Sequence, residues 1–512
     1  MTGNESNAQL LPGADFEDLT APTLGKLIPV LRLGDGAVPA AVLDTFDAPL
    51  ERAGQVLLAA QDGWLELVMP DGRICAQQGA GAAAGGFVAD LPDGPVTREL
   101  AGLSPLRALL PVGRVRLWRG VLALVDNEGK TRARAHLRRL AASGGEDVLL
   151  AALQGLRGYD KAFAALVAHV AACGGVALRE GALCPRLFPG YAPYVAKPAV
   201  PMAAADDAFD AATASIAAHL PVARANEAGI VADHDTEFLH DYRIALRKIR
   251  SVLSLFKGVY APECTEDLKA RFLALMAPTG RLRDLDVYLL ERHCYYDLLP
   301  ESLHAGLDRL FALLAEERTA EHKRQARRLR GKKYRAEVAA LESLFAAPER
   351  LERGAQAGQG AHDYACRLIW KRYRRICRIA ADIGTDTPDD QVHRLRIHCK
   401  KLRYLMEFFA PIFPARAFKR LIKPLKRLQD NLGLFNDYSV QQESLRSLLQ
   451  RREAAAGGTD LELAQSVGAL IAVLHARQRQ ERARVVESFR YFDSAETQAT
   501  FRKLFHQRKD KP

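Results

Sequence analysis

The chain has 512 residues, 48% hydrophobic and 26% charged, with a formal net charge of +11. That apolar content builds cores and excludes a disordered chain, and the length predicts two to four domains. No run approaches the ~18 uninterrupted apolar residues of a membrane span, and Met1 to Asn7 is polar, without a basic or hydrophobic leader region, so a soluble cytoplasmic protein is expected.

Splitting the charge localises it. Residues 1–199 hold 19 Lys+Arg against 20 Asp+Glu, while the remainder holds 53 against 41, so the whole positive excess lies in the C-terminal part and implies a polyanionic partner. The eight cysteines are scattered without a C-x-x-C pair, which predicts reduced, mostly buried thiols. In chain order, β-like runs at Gly54 to Leu58, Trp64 to Met69, Arg114 to Val125 and Lys130 to Leu140 are punctuated by Asp62-Gly63, Asp71-Gly72 and Asp126-Asn127-Glu128-Gly129. A helical pattern follows at 145–173. This is an α+β domain of antiparallel strands, residues 1–200, ending in a linker where Pro185, Pro189, Pro193, Pro198 and Pro201 oppose continuation of helix or strand.

Beyond the linker the 3.6-residue period dominates, at 203–220, 235–257, 264–277, 283–298, 302–330 and 334–346. The glycine-rich break Arg353 to Gly360 separates this run from a second, at 362–382, 391–410, 416–431, 436–453, 460–490 and 496–507. One basic sentence is written in both runs. His240-Asp-Tyr-Arg243-Ile-Ala-Leu-Arg247-Lys248-Ile-Arg250 matches His393-Arg-Leu-Arg396-Ile-His-Cys-Lys400-Lys401-Leu-Arg403 at an offset of 153, and the offset still holds where Arg283-Asp284 falls opposite Asn436-Asp437. Two matches at one spacing indicate a duplicated unit, with repeat 1 over 203–350 and repeat 2 over 361–508. On a helix His240, Arg243, Arg247 and Arg250 share a sector of about 80°, as do His393, Arg396, Lys400 and Arg403. These stripes contain no acid, unlike ordinary solvated faces. Two related bundles are expected to pack about a pseudo-twofold axis that brings both stripes to one surface. Further basic ridges run through Arg367, Lys371, Arg374 and Arg378, through Lys419, Lys423 and Lys426, and through His475, Arg479 and Arg482; Arg327, Arg330 and Lys333 belong to a dense cationic run in the first half.

The doubled helix, together with Arg-Leu-Arg283-Asp284-Leu-Asp286 and Leu-Gln429-Asp430-Asn-Leu-Gly433-Leu-Phe-Asn436-Asp437, resembles the conserved histidine α-helical domain, CHAD, over residues 203–508. The resemblance implies an all-α pair of pseudo-symmetric bundles that binds inorganic polyphosphate on a basic central surface. It also implies association with polyphosphate granules and their proteins, such as polyphosphate kinase. Carried over by position, His240, Arg243, Arg247, Arg250, His393, Arg396, Lys400 and Arg403 contact the ligand. Asp284 and Asp437 read as acids, either buried or standing behind the contact residues, that orient neighbouring arginines rather than touch the ligand.

Residues 1–200 are similar to CYTH, the triphosphate-tunnel fold, through Leu43-Asp44-Thr45-Phe-Asp47-Ala-Pro-Leu50, Gly63-Trp64-Leu65-Glu66-Leu67 and Pro111-Val112-Gly-Arg114-Val-Arg116. That family's Glu-x-Glu-x-Lys strand is missing from Met1 to Val42, and Leu57 to Gln61 lacks the expected arginine. Without those acids water activation has no means, so a degenerate, non-catalytic domain is expected. No cofactor and no metal are expected: His393 and His398 lie about 140° apart on a helix and cannot share an ion. No membrane and no specific nucleic acid is expected as a partner, since no finger, helix-turn-helix or stacking platform is present. A triphosphatase or polyphosphate-processing enzyme, and a non-specific nucleic-acid binder, are the alternatives.

Overall fold

The computed structural model describes residues 7–20, 23–83, 85–384, 387–456 and 460–506, with side chains in 454–456 excepted. Residues 1–6 and the last residue of the final predicted helix lie outside the described residues. The chain divides into two compact units, Met1–Ala196 and Lys197–Pro512.

The first unit is an antiparallel sheet. Its strands are β1 (Ala8–Pro12), β2 (Ile28–Leu33), β3 (Val38–Thr45), β4 (Val56–Ala60), β5 (Trp64–Val68), β6 (Ile74–Gln78), β7 (Leu109–Val125), β8 (Thr131–Ala141), β9 (Val148–Gly155) and β10 (Val176–Ala177). They pair in the order β10-β1-β9-β8-β7-β3-β4-β5-β6, and the long β7 carries β3 along its first half and β2 along its second. The Asp-Gly turns form as expected: Gly63 and Gly72 sit at φ +89° and +82°, and a Cβ on Gly72 would meet the Leu153 carbonyl at 2.5 Å. Leu10, Val42, Leu58, Val68, Val115, Leu117, Leu140 and Leu150 come from seven strands into one apolar core, so the sheet curls around it. The Ala8 amide reaching the Pro70 carbonyl at 3.0 Å ties β1 to the β5–β6 turn. This antiparallel architecture is consistent with the CYTH resemblance.

Short helices α1 (Pro49–Ala53), α2 (Ala80–Ala83), α3 (Pro95–Leu100), α4 (Asp160–Ala172) and α5 (Leu183–Leu187) complete the unit. Two expectations are corrected here. The helix predicted over 145–173 is a strand followed by a helix, because Val148 to Leu153 are all buried: a strand covered on both faces loses its alternation and reads like a helix core. Pro185 does not break structure either, since it occupies the first turn of α5, where its missing N–H costs nothing.

The second unit is all-helical: α6 (Ala208–Ala232), α7 (Thr236–Leu255), α8 (Pro262–Met276), α9 (Gly280–Leu290), α10 (Arg292–Tyr296), α11 (His304–Arg330) and α12 (Lys332–Ala346), then α13 (Ala361–Ala381), α14 (Asp389–Phe409), α15 (Ala415–Ala456), α16 (Leu461–Phe492) and α17 (Ala495–Phe505). Ala208 and Ala361, Thr236 and Asp389, and Pro262 and Ala415 begin matched helices 153 residues apart, so the repeat extends to element boundaries. Asp235 caps α7 by accepting from the Glu237 and Phe238 amides. Helix α6 runs past Pro221, where the sequence predicted its end. Its continuation buries Val222, Ala223 and Ile230, and Gly229 admits Phe238 of α7 so closely that a Cβ would lie 2.2 Å from the ring, which outweighs one lost helical bond. Two helices predicted over 416–431 and 436–453 are one, because the second repeat lacks Pro278, which interrupts the first.

All eight cysteines are free, and three (Cys184, Cys366, Cys399) are buried, fewer than expected. Among the described residues no helix is long and apolar enough to cross a membrane.

Candidate anion-binding surface

Helix α7 of the first repeat packs on α14 of the second, and just past α7 Phe256 stacks on Phe409 with ring centres 4.8 Å apart and planes 10° from parallel. The two phenylalanines hold the same position in the two repeats, so the stack lies on the local twofold. Both are buried, at 2% and 0% exposure, which pins the two helices side by side. Alternating apolar residues hold each helix to its own bundle: Leu246, Ile249 and Leu253 in α7, Leu395, Leu402 and Leu405 in α14.

On this frame the two stripes have matched surroundings. Arg243 Nη1 donates to Thr279 Oγ1 at 2.7 Å, and Arg396 lies 3.6 Å from Asp437. Arg250 Nη1 points at Met276 Sδ at 3.7 Å, and at the equivalent position Arg403 Nη1 donates to Gln429 Oε1 at 3.1 Å. His393 Nδ1 contacts Asn436 Oδ1 at 2.9 Å, while Arg283, which stands where Asn436 does, comes within 4.0 Å of Glu237. Arg247 and Lys400 are twofold mates. Burial first, then Arg396 and Arg247, pushes the Lys400 ammonium down to about 8. A cation of the first repeat thus destabilises the charge on its mate in the second, as expected where both stripes reach one surface. Burial also lowers Arg243 and Arg396, against the opposing pull of Asp284 and Asp437.

The two acids adjoin the arginines as expected, but neither is buried. Asp437 is 60% exposed at its side chain and Asp284 is also exposed, so both are surface carboxylates beside Arg243 and Arg396; the buried acid of that motif is Asp286, at 1%, paired with Arg318 at 2.9 Å. Acids outside the stripes also flank them, one of them on α14 itself. Glu407 sits 2.9 Å from Arg403 and opposes the burial that lowers Lys248.

The remaining candidates fall into three groups. Lys371, Arg374 and Arg378 of α13 line a cavity of about 460 Å³ together with Lys257, Arg372, Arg375, His398, Leu255, Leu368 and Leu405. Lys401 does not line this cavity, though burial, then the charges of Arg372 and Lys257, lower its ammonium. Arg367 lies on the same helix but hydrogen-bonds Gln356 at 2.8 Å and covers the Tyr364 ring. A second group, Arg327, Arg330, Lys333, Lys419, Lys423, Lys426, His475 and Arg479, is exposed on α11, α12, α15 and α16. Arg482 stands alone: its Nη2 donates to the Gly384 and Thr387 carbonyls at 3.0 and 2.7 Å, and so ties the α13–α14 connection to α16. Sequence reasoning missed Lys257, Arg372, Arg375 and His398. The period of α13 could have found Arg372 and Arg375, whereas Lys257 and His398 join only through tertiary packing.

Among the described residues no group of three or more His, Cys, Asp or Glu side chains is gathered closely enough to hold a metal ion. The buried Glu66 carboxylate of the sheet receives Arg119 and, at 2.6 Å, Arg138, while Arg119 also holds Asp62 at 2.7 Å.

The family model described as the CHAD domain matches residues 214–446. Among solved structures the chain is similar to the crystal structure of the CHAD domain from the plant Ricinus communis, at 23% identity and a TM-score of 0.45, over 62% of this chain and 98% of that one. It is also similar to PptA from Streptomyces chartreusis, at 18% identity and a TM-score of 0.39, over 58% of this chain and 100% of that one. No curated protein matches.

Proposed function

Because the helical unit of this chain carries a CHAD domain, we propose that the protein binds inorganic polyphosphate along the surface where α7 and α14 meet, and that this binding associates it with polyphosphate granules. The observation that carries the reading is the meeting of Arg243, Arg247 and Arg250 with Arg396, Lys400 and Arg403 across a local twofold fixed by Phe256 and Phe409. Polyphosphate bears about one charge per phosphate at close spacing. Its binder therefore needs cations arrayed in a line rather than a single deep charge. Arginine suits the ligand through paired N–H donors, lysine supplies point charge, and release of condensed counterions drives the association. Surface carboxylates such as Asp437 and Glu407 hold the arginines extended in the absence of ligand, and phosphate oxygens then take over part of that contact.

The N-terminal unit is proposed to be non-catalytic. Its curled sheet is filled by Leu58, Val115, Leu117, Leu140 and Leu150, and of two buried carboxylates among its described residues Glu66 is paired with two arginines while Asp44 accepts from the Leu50 and Glu51 amides. Among the described residues no cluster of acids able to hold a metal supports hydrolysis. Incubation with tripolyphosphate and Mg²⁺ or Mn²⁺ should release no phosphate, and metal-dependent release would reinstate the enzyme alternative.

Competition tests the binding reading. Long-chain polyphosphate and duplex DNA of matched charge, titrated at several salt concentrations, should separate in favour of polyphosphate at every salt. Equal affinity would mean a general basic surface and would overturn the assignment.

A further inference from the structure

The cavity on α13 is a second basic site, and it faces away from the first. On α14 His398 and Leu405 lie about 160–180° around the helix from the centre of the His393–Arg403 stripe, so the polymer surface and this cavity occupy opposite sides of one helix. Five cations of α13, Lys371, Arg372, Arg374, Arg375 and Arg378, fall within an arc of about 160°. Lys257, beyond the end of α7, closes the same cavity.

Three properties separate it from an ordinary solvated face. Such faces mix signs, because like charges at i, i+3 and i, i+4 repel. Here no carboxylate lines the cavity, and among the described residues none of the five α13 cations takes part in an ion pair. The cations also ring a floor of Leu255, Leu368 and Leu405, at a volume of about 460 Å³ that falls in the range of small-molecule pockets rather than open grooves. Finally, the fold does not require them. Their counterparts in the first repeat are Ala218, His219, Pro221, Val222 and Ala225, which build α6 on the same plan without the charge. Arg372 Nη1 donates to His398 Nδ1 at 2.8 Å, an arrangement that makes His398 a neutral imidazole with Nε2–H left as a further donor.

We propose that this α13 cavity is a separate binding site for a short condensed phosphate, a compact anion that carries several charges and is taken up whole, distinct from the axial surface that holds the long polymer. The proposal rests on reading the helical unit as a phosphate-polymer binder, but its site and residues are its own. Guanidinium groups converging from successive turns of one helix match neighbouring phosphoryl groups through paired N–H bonds, and the enclosed shape favours a short anion over a chain that must pass through.

Calorimetry of the full-length protein with tripolyphosphate tests it, using two sets of variants. Arg372→Ala with Arg375→Ala should weaken tripolyphosphate by about a hundredfold or more, since two charge-assisted contacts are lost. Arg243→Ala with Arg396→Ala should leave it within about threefold while still weakening long-chain polyphosphate. Should the first pair disturb folding, as circular dichroism would reveal, the exposed pair Lys371→Ala and Arg374→Ala carries the same expectation. Tripolyphosphate affinity that survives both cavity pairs, or that falls equally with the axial pair, overturns the site. Neither outcome depends on whether long-chain polyphosphate outcompetes DNA, so failure of the functional reading would be seen separately.

Discussion

At the residue scale, the proposed binding predicts that the histidines that make the repeat conspicuous contribute less than the arginines beside them. His393 is engaged with Asn436 at 2.9 Å, whereas the Arg396 guanidinium offers paired N–H donors with its charge. Anisotropy titrations with labelled long-chain polyphosphate should therefore show losses below about threefold for His240→Ala or His393→Ala, and about tenfold or more for Arg243→Ala or Arg396→Ala. Lys400 adds a pH dependence. Its ammonium, pushed down to about 8 in the free protein, regains its usual range when a polyanion binds, so binding takes up a proton at alkaline pH. Affinity should be flat below about pH 7, then fall as pH rises through 8, by at most tenfold per unit. Lys400→Arg should remove that fall between pH 7 and 9.5, and a fall that persists would assign it to another group. The cationic identities were legible in the sequence because helical spacing determines them. What Arg482 does was not, because its partners are carbonyls 95 and 98 residues away.

At the element scale, the duplication was the most legible feature, and matched helix starts show it reaching beyond the motif. The repeats differ where one proline does: Pro278 ends α8, and the corresponding stretch of repeat 2 continues as the long α15. Inside α15, Gly433 has open space around its missing side chain and no left-handed φ, so Gly433→Ala should stabilise the protein by about 0.5–1 kcal/mol, read as a higher denaturation midpoint. The Phe256–Phe409 stack makes the opposite prediction. Phe256→Ala and Phe409→Ala should each cost about 3–5 kcal/mol, and the double variant less than their sum, since either truncation already breaks the shared contact. Additive losses would mean that the rings stabilise their own bundles and not the axis. Strand β9 was illegible for a definite reason: six consecutive buried residues carry neither of the periods by which strands and helices are told apart.

At the scale of the whole molecule, the charge partition anticipates the division of labour. The near-neutral unit folds a curled sheet around an apolar core, and the basic unit carries both cationic sites. That partition was legible from counting alone, but the division of the basic residues between two sides of α14 was not, because stripes that share a helix look continuous until packing assigns each side to a different neighbour. If counterion release drives binding, the logarithm of affinity should fall linearly with the logarithm of salt concentration, and the slope should shrink by roughly one for each phosphate-contacting cation removed. The most direct test is the full-length Arg243→Ala, Arg396→Ala double variant titrated with long-chain polyphosphate. Affinity should drop by about a hundredfold or more with helical content intact, as two charge-assisted contacts of about 1.5–3 kcal/mol each require. Affinity equal to that of the unmodified protein would contradict an axial polyphosphate surface.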